Sequence, residues 1–304
     1  MAAPPVVNLS GITKRYRRKI ALDSVDLSVG RGETCALIGA NGAGKSTLIH
    51  IICGLSRQTS GTLSILGQRS ARGLRRARAR MGYVPDVSGA YQHLSARQNL
   101  EVRCIEWGIP ASEVDRALRI VELTDTGKAK VKGFSMGMKR RLDIATALLG
   151  DTDFIIMDEP INGLDPMGVA EIRELICRLR DEEGRTILLS SHNLPELEKT
   201  ATSFAFIHKG RMLEKVGRED IRQGGPSRLL LRVSHGRRAV DALELAFPQL
   251  AIERSGANSL EIPVPPQGSS ALLGCLAAAR VEVLEMSPVR ASLEHYYQAL
   301  LGGE

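Results

Sequence analysis

Gly39-Ala40-Asn41-Gly42-Ala43-Gly44-Lys45-Ser46 decides how this chain is read. The stretch fits GxxxxGK[ST], and its flanks suit that pattern. TCALI before it, Thr34 to Ile38, reads as a buried strand; Ser46 to Cys53 after it reads as a helix, with Gly54 as the stop signal. Small residues let the backbone wrap round phosphate oxygens with its N–H groups pointing inward, and the helix N-terminus adds the positive end of a dipole. In such a cradle Lys45 is a point charge for the β- and γ-phosphates, the Ser46 hydroxyl is a ligand for Mg²⁺, and Thr47 reaches the α-phosphate. A chance Gly-rich turn is the competing account, and Lys-Ser in register between a strand and a helix argues against it. The loop alone leaves small GTPases and small-molecule kinases open.

Working outward, Phe154-Ile155-Ile156-Met157 is an apolar run ending in Asp158 and Glu159. Asp158 suits the shell of a Mg²⁺ ion, and Glu159 suits a general base or water-orienting group for attack on a γ-phosphate. By itself this pattern is more often a solvated strand end; after a phosphate loop it gains meaning. Thr186 to Ser190 is a second short apolar run, and both runs read as central parallel strands. His192 follows the second one, where an imidazole can bond a γ-phosphate; a lone histidine would otherwise be read as a surface or core residue.

These residues together resemble one family, the ATP-binding cassettes. Phe134-Ser135-Met136-Gly137-Met138 resembles the family's LSGGQ signature, with Ser135 and Gly137 kept. Asn162-Gly163-Leu164-Asp165 is similar to its D-loop, Ser191-His192 to its switch-histidine loop, and Tyr83-Val84-Pro85-Asp86 to its Q-loop, with Asp86 where the family has Gln. Asp86 still offers an oxygen to Mg²⁺ but adds a charge. Tyr16 falls where the family stacks an aromatic ring on adenine. The resemblance spans residues 6 to about 220. Within the family FSMGMKRRL (134–142), DEPINGLDP (158–166), SSHNLPELEK (190–199), IHKGRMLE (207–214) and the terminal SLEHYYQALLGG (292–303) resemble the bacterial subgroup serving bacitracin and lantibiotic efflux.

The resemblance implies an α/β fold: a P-loop NTPase with a RecA-like core, an antiparallel β subdomain and a helical subdomain. It implies ATP as substrate with Mg²⁺, and a homodimer in which Ser135 and Gly137 of one copy close on ATP held by the other. It also implies separate membrane-spanning permease subunits as partners and peripheral attachment at the cytoplasmic face of the cell membrane. The catalytic set is then Glu159, His192 and Lys45. The nucleotide set is Tyr16, Gly39 to Thr47, Ser135, Gly137 and Asp165, and the metal set is Ser46, Asp86 and Asp158.

The bulk properties agree. Of 304 residues 43% are hydrophobic, enough for a core, and no apolar run approaches the ~18–20 residues of a membrane span. The start, MAAPPVVNLSG, has no basic segment followed by an apolar one, so no secretory signal is expected. The five cysteines are scattered without metal-ligand spacing and read as reduced apolar fillers. Net charge is +7, and from Asp220 onward eight arginines face nine acidic residues, so the excess lies before that point. Much of it sits in two runs, Lys14 to Lys19 and Arg69 to Arg80. These read as solvated faces or as a surface turned to anionic lipid, not as a nucleic-acid site, because no aromatic residue is interleaved in the second run.

Residues 1–222 are expected to form the ATPase domain, with a helical lobe over about 88–149. A composition break at Gln223-Gly224-Gly225-Pro226 precedes an accessory α+β domain over 227–304. There the pattern predicts strand 228–233, helix 238–246, strands 251–254 and 259–264, helix 269–279, strand 281–285 and helix 291–301. That order suggests a ferredoxin-like module. Two rivals stand beside the transporter. A soluble cassette acting on ribosomes or DNA is opposed by the single cassette and the short helical insert, and a purely regulatory cassette by the intact Glu159.

Overall fold

The computed structural model describes residues 4–17, 19–224, 228–264, 268–289 and 292–302. Arg18 of the first basic run, Gly225 and Pro226 of the composition break, and Ala291 at the expected start of the last helix lie outside the described residues. The chain separates into two units, Met1–Arg218 and Glu219–Glu304.

The first unit opens with β1 (Val7–Tyr16) and β2 (Lys19–Val29). Val7, Leu9 and Ile12 of β1 and Leu22, Val25, Leu27 and Val29 of β2 are buried, the near-alternation of strands with one covered face. With β4 (Ser60–Ile65) they make an antiparallel sheet in the order β2-β1-β4. Between them in the chain lie β3 (Thr34–Ile38) and α1 (Lys45–Cys53). All five residues of β3 are buried, as are Leu48, Ile49, Ile51 and Ile52 of α1. Each such aliphatic side chain contributes about 1.5–3 kcal/mol on burial. The helix stops at Gly54, whose φ of 82° is the left-handed cap conformation.

After α2 (Ala71–Arg78) and β5 (Met81–Val84) come α3 (Ala96–Trp107), α4 (Ser112–Ile120) and α5 (Met136–Ala147). A capping box of Ser95 and Gln98 starts α3. The chain then returns through β6 (Phe154–Asp158), α6 (Pro166–Asp181), β7 (Thr186–Ser190), α7 (Leu194–Thr200), β8 (Ser203–His208) and β9 (Arg211–Gly217). The main sheet has the order β5-β6-β7-β3-β8-β9, with parallel pairings from β5 to β8 and an antiparallel β9 at its edge. Every residue of β3, β6 and β7 is buried, the signature of parallel strands covered on both faces.

Beyond α8 (Arg218–Gly224), the second unit runs β10 (Arg228–Val233), α9 (Gly236–Ala246), β11 (Glu253–Arg254), β12 (Ser259–Pro263), α10 (Ser269–Ala278), β13 (Val283–Val289) and α11 (Leu293–Gly302). Its sheet order is β11-β12-β10-β13, antiparallel throughout. Leu231, Val233, Ala239, Leu243, Leu260, Ile262, Leu272 and Leu276 form a core of its own.

Candidate functional site

The loop between β3 and α1 is shaped by two glycines that no other residue replaces. A Cβ on Gly39 would strike the Ile207 carbonyl oxygen. Gly44 has φ of 117°, and a Cβ there would lie 2.8 Å from Leu22 Cδ2. Held this way, the loop turns Lys45 back across itself. The Lys45 Nζ is buried and donates to the Gly39 carbonyl at 2.6 Å, and it stands 3.9 Å from Glu159 Oε1.

Parallel pairing of β6 with β7 sets Asp158 beside Ser190. The Ser190 hydroxyl donates to Asp158 Oδ1 at 2.6 Å, which satisfies one oxygen of a buried carboxylate. The Glu159 backbone N–H donates to the Ser190 carbonyl and approaches its hydroxyl, each at 3.1 Å. Glu159 has φ of 49°, an uncommon conformation for a residue with a side chain. That strained backbone carries its carboxylate between two cations or potential cations. Glu159 Oε2 lies 3.0 Å from Nδ1 of the exposed His192, and Oε1 faces Lys45.

These groups line one open cavity of about 430 Å³. Ala40, Asn41, Gly42, Gly44, Lys45, Ser46 and Thr47 form one wall, and Asp86, Asp158, Glu159 and His192 the other. Gly39 and Ala43 are buried beneath the loop. The other expected residues stand apart from this cavity. Tyr16 is exposed at the end of β1, with Lys14 Nζ 4.7 Å from its ring centre; Lys19 and Ala21 line the rim instead. Ser135 is the exposed N-cap of α5 and accepts from the Met138 N–H, with Gly137 in the first turn. Asp165 caps α6 by accepting from the Gly168 N–H at 3.0 Å.

The oxygen donors of the cavity, the Ser46 hydroxyl and the carboxylates of Asp158 and Asp86, are those a hard divalent cation such as Mg²⁺ selects. Asn162 Nδ2 contacts Asp86 Oδ1 at 3.4 Å, and Asn162 also lines the cavity. The backbone of the Asp86 loop is held from α5. Arg140 is buried and donates to the carbonyls of Pro85 at 2.6 Å and Asp86 at 3.0 Å. One turn on, Asp143 accepts from the Ser88 hydroxyl at 2.7 Å. Sequence reading gave no site role to Ser190, Lys19 or Arg140, and quoted Asn162 only as part of the stretch similar to the D-loop; Ser190 meets Asp158 only through the pairing of β6 with β7.

Burial pushes the Asp143 carboxyl above the ordinary Asp value, opposed by the Ser88 hydroxyl and the Arg140 charge. The folded chain therefore holds that proton to higher pH than the unfolded chain. Between the two values it binds more protons, so stability falls as pH rises through that window. Asp143→Asn removes this slope. Urea midpoints measured over a pH series should fall for the wild type, relative to the variant, from the ordinary Asp value upward. The gap should stop widening above the raised value.

The ABC transporter family model matches residues 22–162. The bacitracin transport ATP-binding protein BcrA of Bacillus licheniformis is 33% identical over 301 residues, 98% of this chain and 98% of its own length. This chain belongs to the ATP-binding subunits of ABC transporters. As such a cassette it binds and hydrolyses ATP, and hydrolysis is coupled to transport. The uncharacterized ABC transporter ATP-binding protein YcbN of Bacillus subtilis is 33% identical over 98% of this chain and 97% of its own. A solved ATP-binding subunit of an ABC transporter matches at 34% identity with a TM-score of 0.63, covering 72% of this chain and 92% of that one. Among the described residues of the cassette no helix is long and apolar enough to cross a membrane.

Proposed function

We propose that this cassette powers export of a peptide antibiotic through separate membrane-spanning permease subunits, attached to them at the cytoplasmic face of the cell membrane. The observation that carries the reading is the extent of the likeness to BcrA. It runs over 98% of both chains, so it includes the second unit as well as the ATPase unit. The lantibiotic transport ATP-binding protein SrtF of Streptococcus pyogenes, 38% identical over 68% of this chain, adds a second relative with peptide cargo in its name. The β10-α9-β11-β12-α10-β13 order and the strand order β11-β12-β10-β13 support a ferredoxin-like module for the second unit.

In this reading Lys45 neutralises the β- and γ-phosphates, and the loop N–H groups orient them. Ser46, Asp158 and Asp86 would hold Mg²⁺, which when bound would supply charge neutralisation at the phosphates. Glu159 takes the proton of the attacking water, and His192, hydrogen-bonded to it, fixes its direction. Phosphoryl transfer to water needs mainly this positioning and charge balance. Ser135 and Gly137 do not line the cavity; at the start of α5 Ser135 is exposed and Gly137 half-buried. A second copy in a homodimer brings them, with Asp165, to the nucleotide.

The test is genetic. A strain lacking the gene is restored with wild type or Glu159→Gln and challenged with a panel of peptide antibiotics. Resistance to one peptide, restored by wild type alone, is the expected result. Equal sensitivity to every peptide would overturn the cargo and leave the ATPase in place.

A further inference from the structure

From Thr34 to Pro85 the chain contains no Asp or Glu, and that stretch carries Lys45, Arg57, Arg69, Arg72, Arg75, Arg76, Arg78 and Arg80. The structure separates these into roles. Lys45 belongs to the cavity. Arg80 pairs with Asp151 and Asp153. Arg78 reaches under the helix and donates to the carbonyls of Ile52 at 2.9 Å and Ile51 at 3.1 Å, pinning α2 to the C-terminal end of α1. Of the remaining five, Arg57 lies in the turn after α1; Arg69, Arg72, Arg75 and Arg76 are exposed, and among the described residues their guanidinium groups have no ion pair or hydrogen bond.

At 100° per residue Arg72, Arg75 and Arg76 fall within an arc of about 100° on α2, and Arg69 lies in the turn that leads into it. The buried side of the helix is left to Gly73 and Ala77. The basic strip does not end there. Arg78 joins α2 to the turn after α1, where Leu55 is 66% exposed and Arg57 follows it. Lys14 Nζ donates to the Arg57 carbonyl at 2.6 Å, which brings the basic end of β1 against the same turn. The result is a positive strip with an exposed leucine along it and no acidic side chain drawn from the strip's own 52-residue stretch.

We propose that this strip binds the anionic headgroups of the lipid bilayer directly, independently of any permease. Exposed arginines unpaired within the protein keep their charge available to a partner. The apolar Leu55 favours an interface with an apolar interior, and no aromatic side chain lies between Gly54 and Gly82 on which bases would stack; an exposed ring, Tyr16, stands at the strip's edge, beside Ser56 and under Lys14. A bilayer interface suits the charge, the leucine and an edge tyrosine alike; a nucleic acid matches the charge and that ring but not the leucine.

The full-length wild type is compared with R72E/R75E/R76E and with R72K/R75K/R76K by co-sedimentation with vesicles. One set is phosphatidylcholine alone and the other is phosphatidylcholine with phosphatidylglycerol. An arginine near an anionic surface strengthens binding about fivefold, so the charge reversal should lower binding to the anionic vesicles by well over tenfold. The lysine variant should bind nearly as wild type, added salt should release both, and the ATPase rate of all three should agree. Equal binding to neutral and anionic vesicles would overturn the proposal. So would a reversal variant that binds as wild type, or tighter capture of a single-stranded RNA oligonucleotide than of anionic vesicles at the same salt. Since no permease or peptide is present, failure here would leave the export reading untouched.

Discussion

Glu159→Gln should slow ATP turnover by about 10²–10⁴-fold while leaving ATP bound. The substitution keeps the shape of the side chain and removes its capacity to accept a proton. The backbone that places it is unaffected, because the Glu159 N–H still donates to Ser190 and the Asp158–Ser190 bond does not involve the Glu159 side chain. The amide oxygen can still face Lys45, and the amide can still bond the His192 ring in one of its tautomers. The loss is thus confined to proton transfer and to the charge that holds His192. Phosphate release under saturating ATP gives the rate, and a fluorescent ATP analogue gives the affinity. If a homodimer closes on two nucleotides, the variant should accumulate as a dimer in ATP and return to monomer in ADP. Turnover within a fewfold of wild type would remove Glu159 from the role of base.

Most of this site could be read from the chain because its residues are local to motifs. Lys45, Ser46 and Thr47 follow the loop glycines directly, and Asp158 and Glu159 end an apolar run. Ser190 was legible only as the last residue of a strand. Its bond to Asp158 depends on β6 lying next to β7, a pairing between segments 32 positions apart. Arg140 was hidden for the same reason, since its partners Pro85 and Asp86 are 55 and 54 positions away. Helix α2 was masked by its own charge, because only Gly73 and Ala77 are buried and two small residues make no apolar period. In the second unit the strand expected over 281–285 runs instead from Val283 to Val289. Val281 donates to Leu276 at the end of α10, and Glu282 exchanges bonds with Ser234, so neither enters the ladder at that point. At the other end Pro288 reads as a strand breaker, yet β13 is an edge strand, where a missing N–H costs little.

Lys45→Ala should weaken ATP binding by about 10–150-fold, the worth of one hydrogen bond to a charged group. The lysine is buried, and without nucleotide its amine is held by the Gly39 carbonyl and lies near Glu159. Truncation therefore does two things. It removes the cation that the β- and γ-phosphates meet, and it leaves the Gly39 oxygen and the mostly buried Glu159 carboxylate without that partner. The second effect lowers the stability of the empty protein and would weaken every ligand alike. The first is selective for the outer phosphates. Affinities for ATP and AMP separate the two, because AMP lacks the groups that Lys45 serves. A large loss for ATP with a small one for AMP assigns the lysine to phosphate binding. Equal losses for both nucleotides would mean that Lys45 acts by holding the loop through Gly39 and not by meeting the phosphates. Thermal midpoints add an independent check. ATP that binds only the folded chain raises the midpoint in proportion to the logarithm of its excess over Kd, so the shift seen in wild type should shrink in the variant at the same ATP concentration.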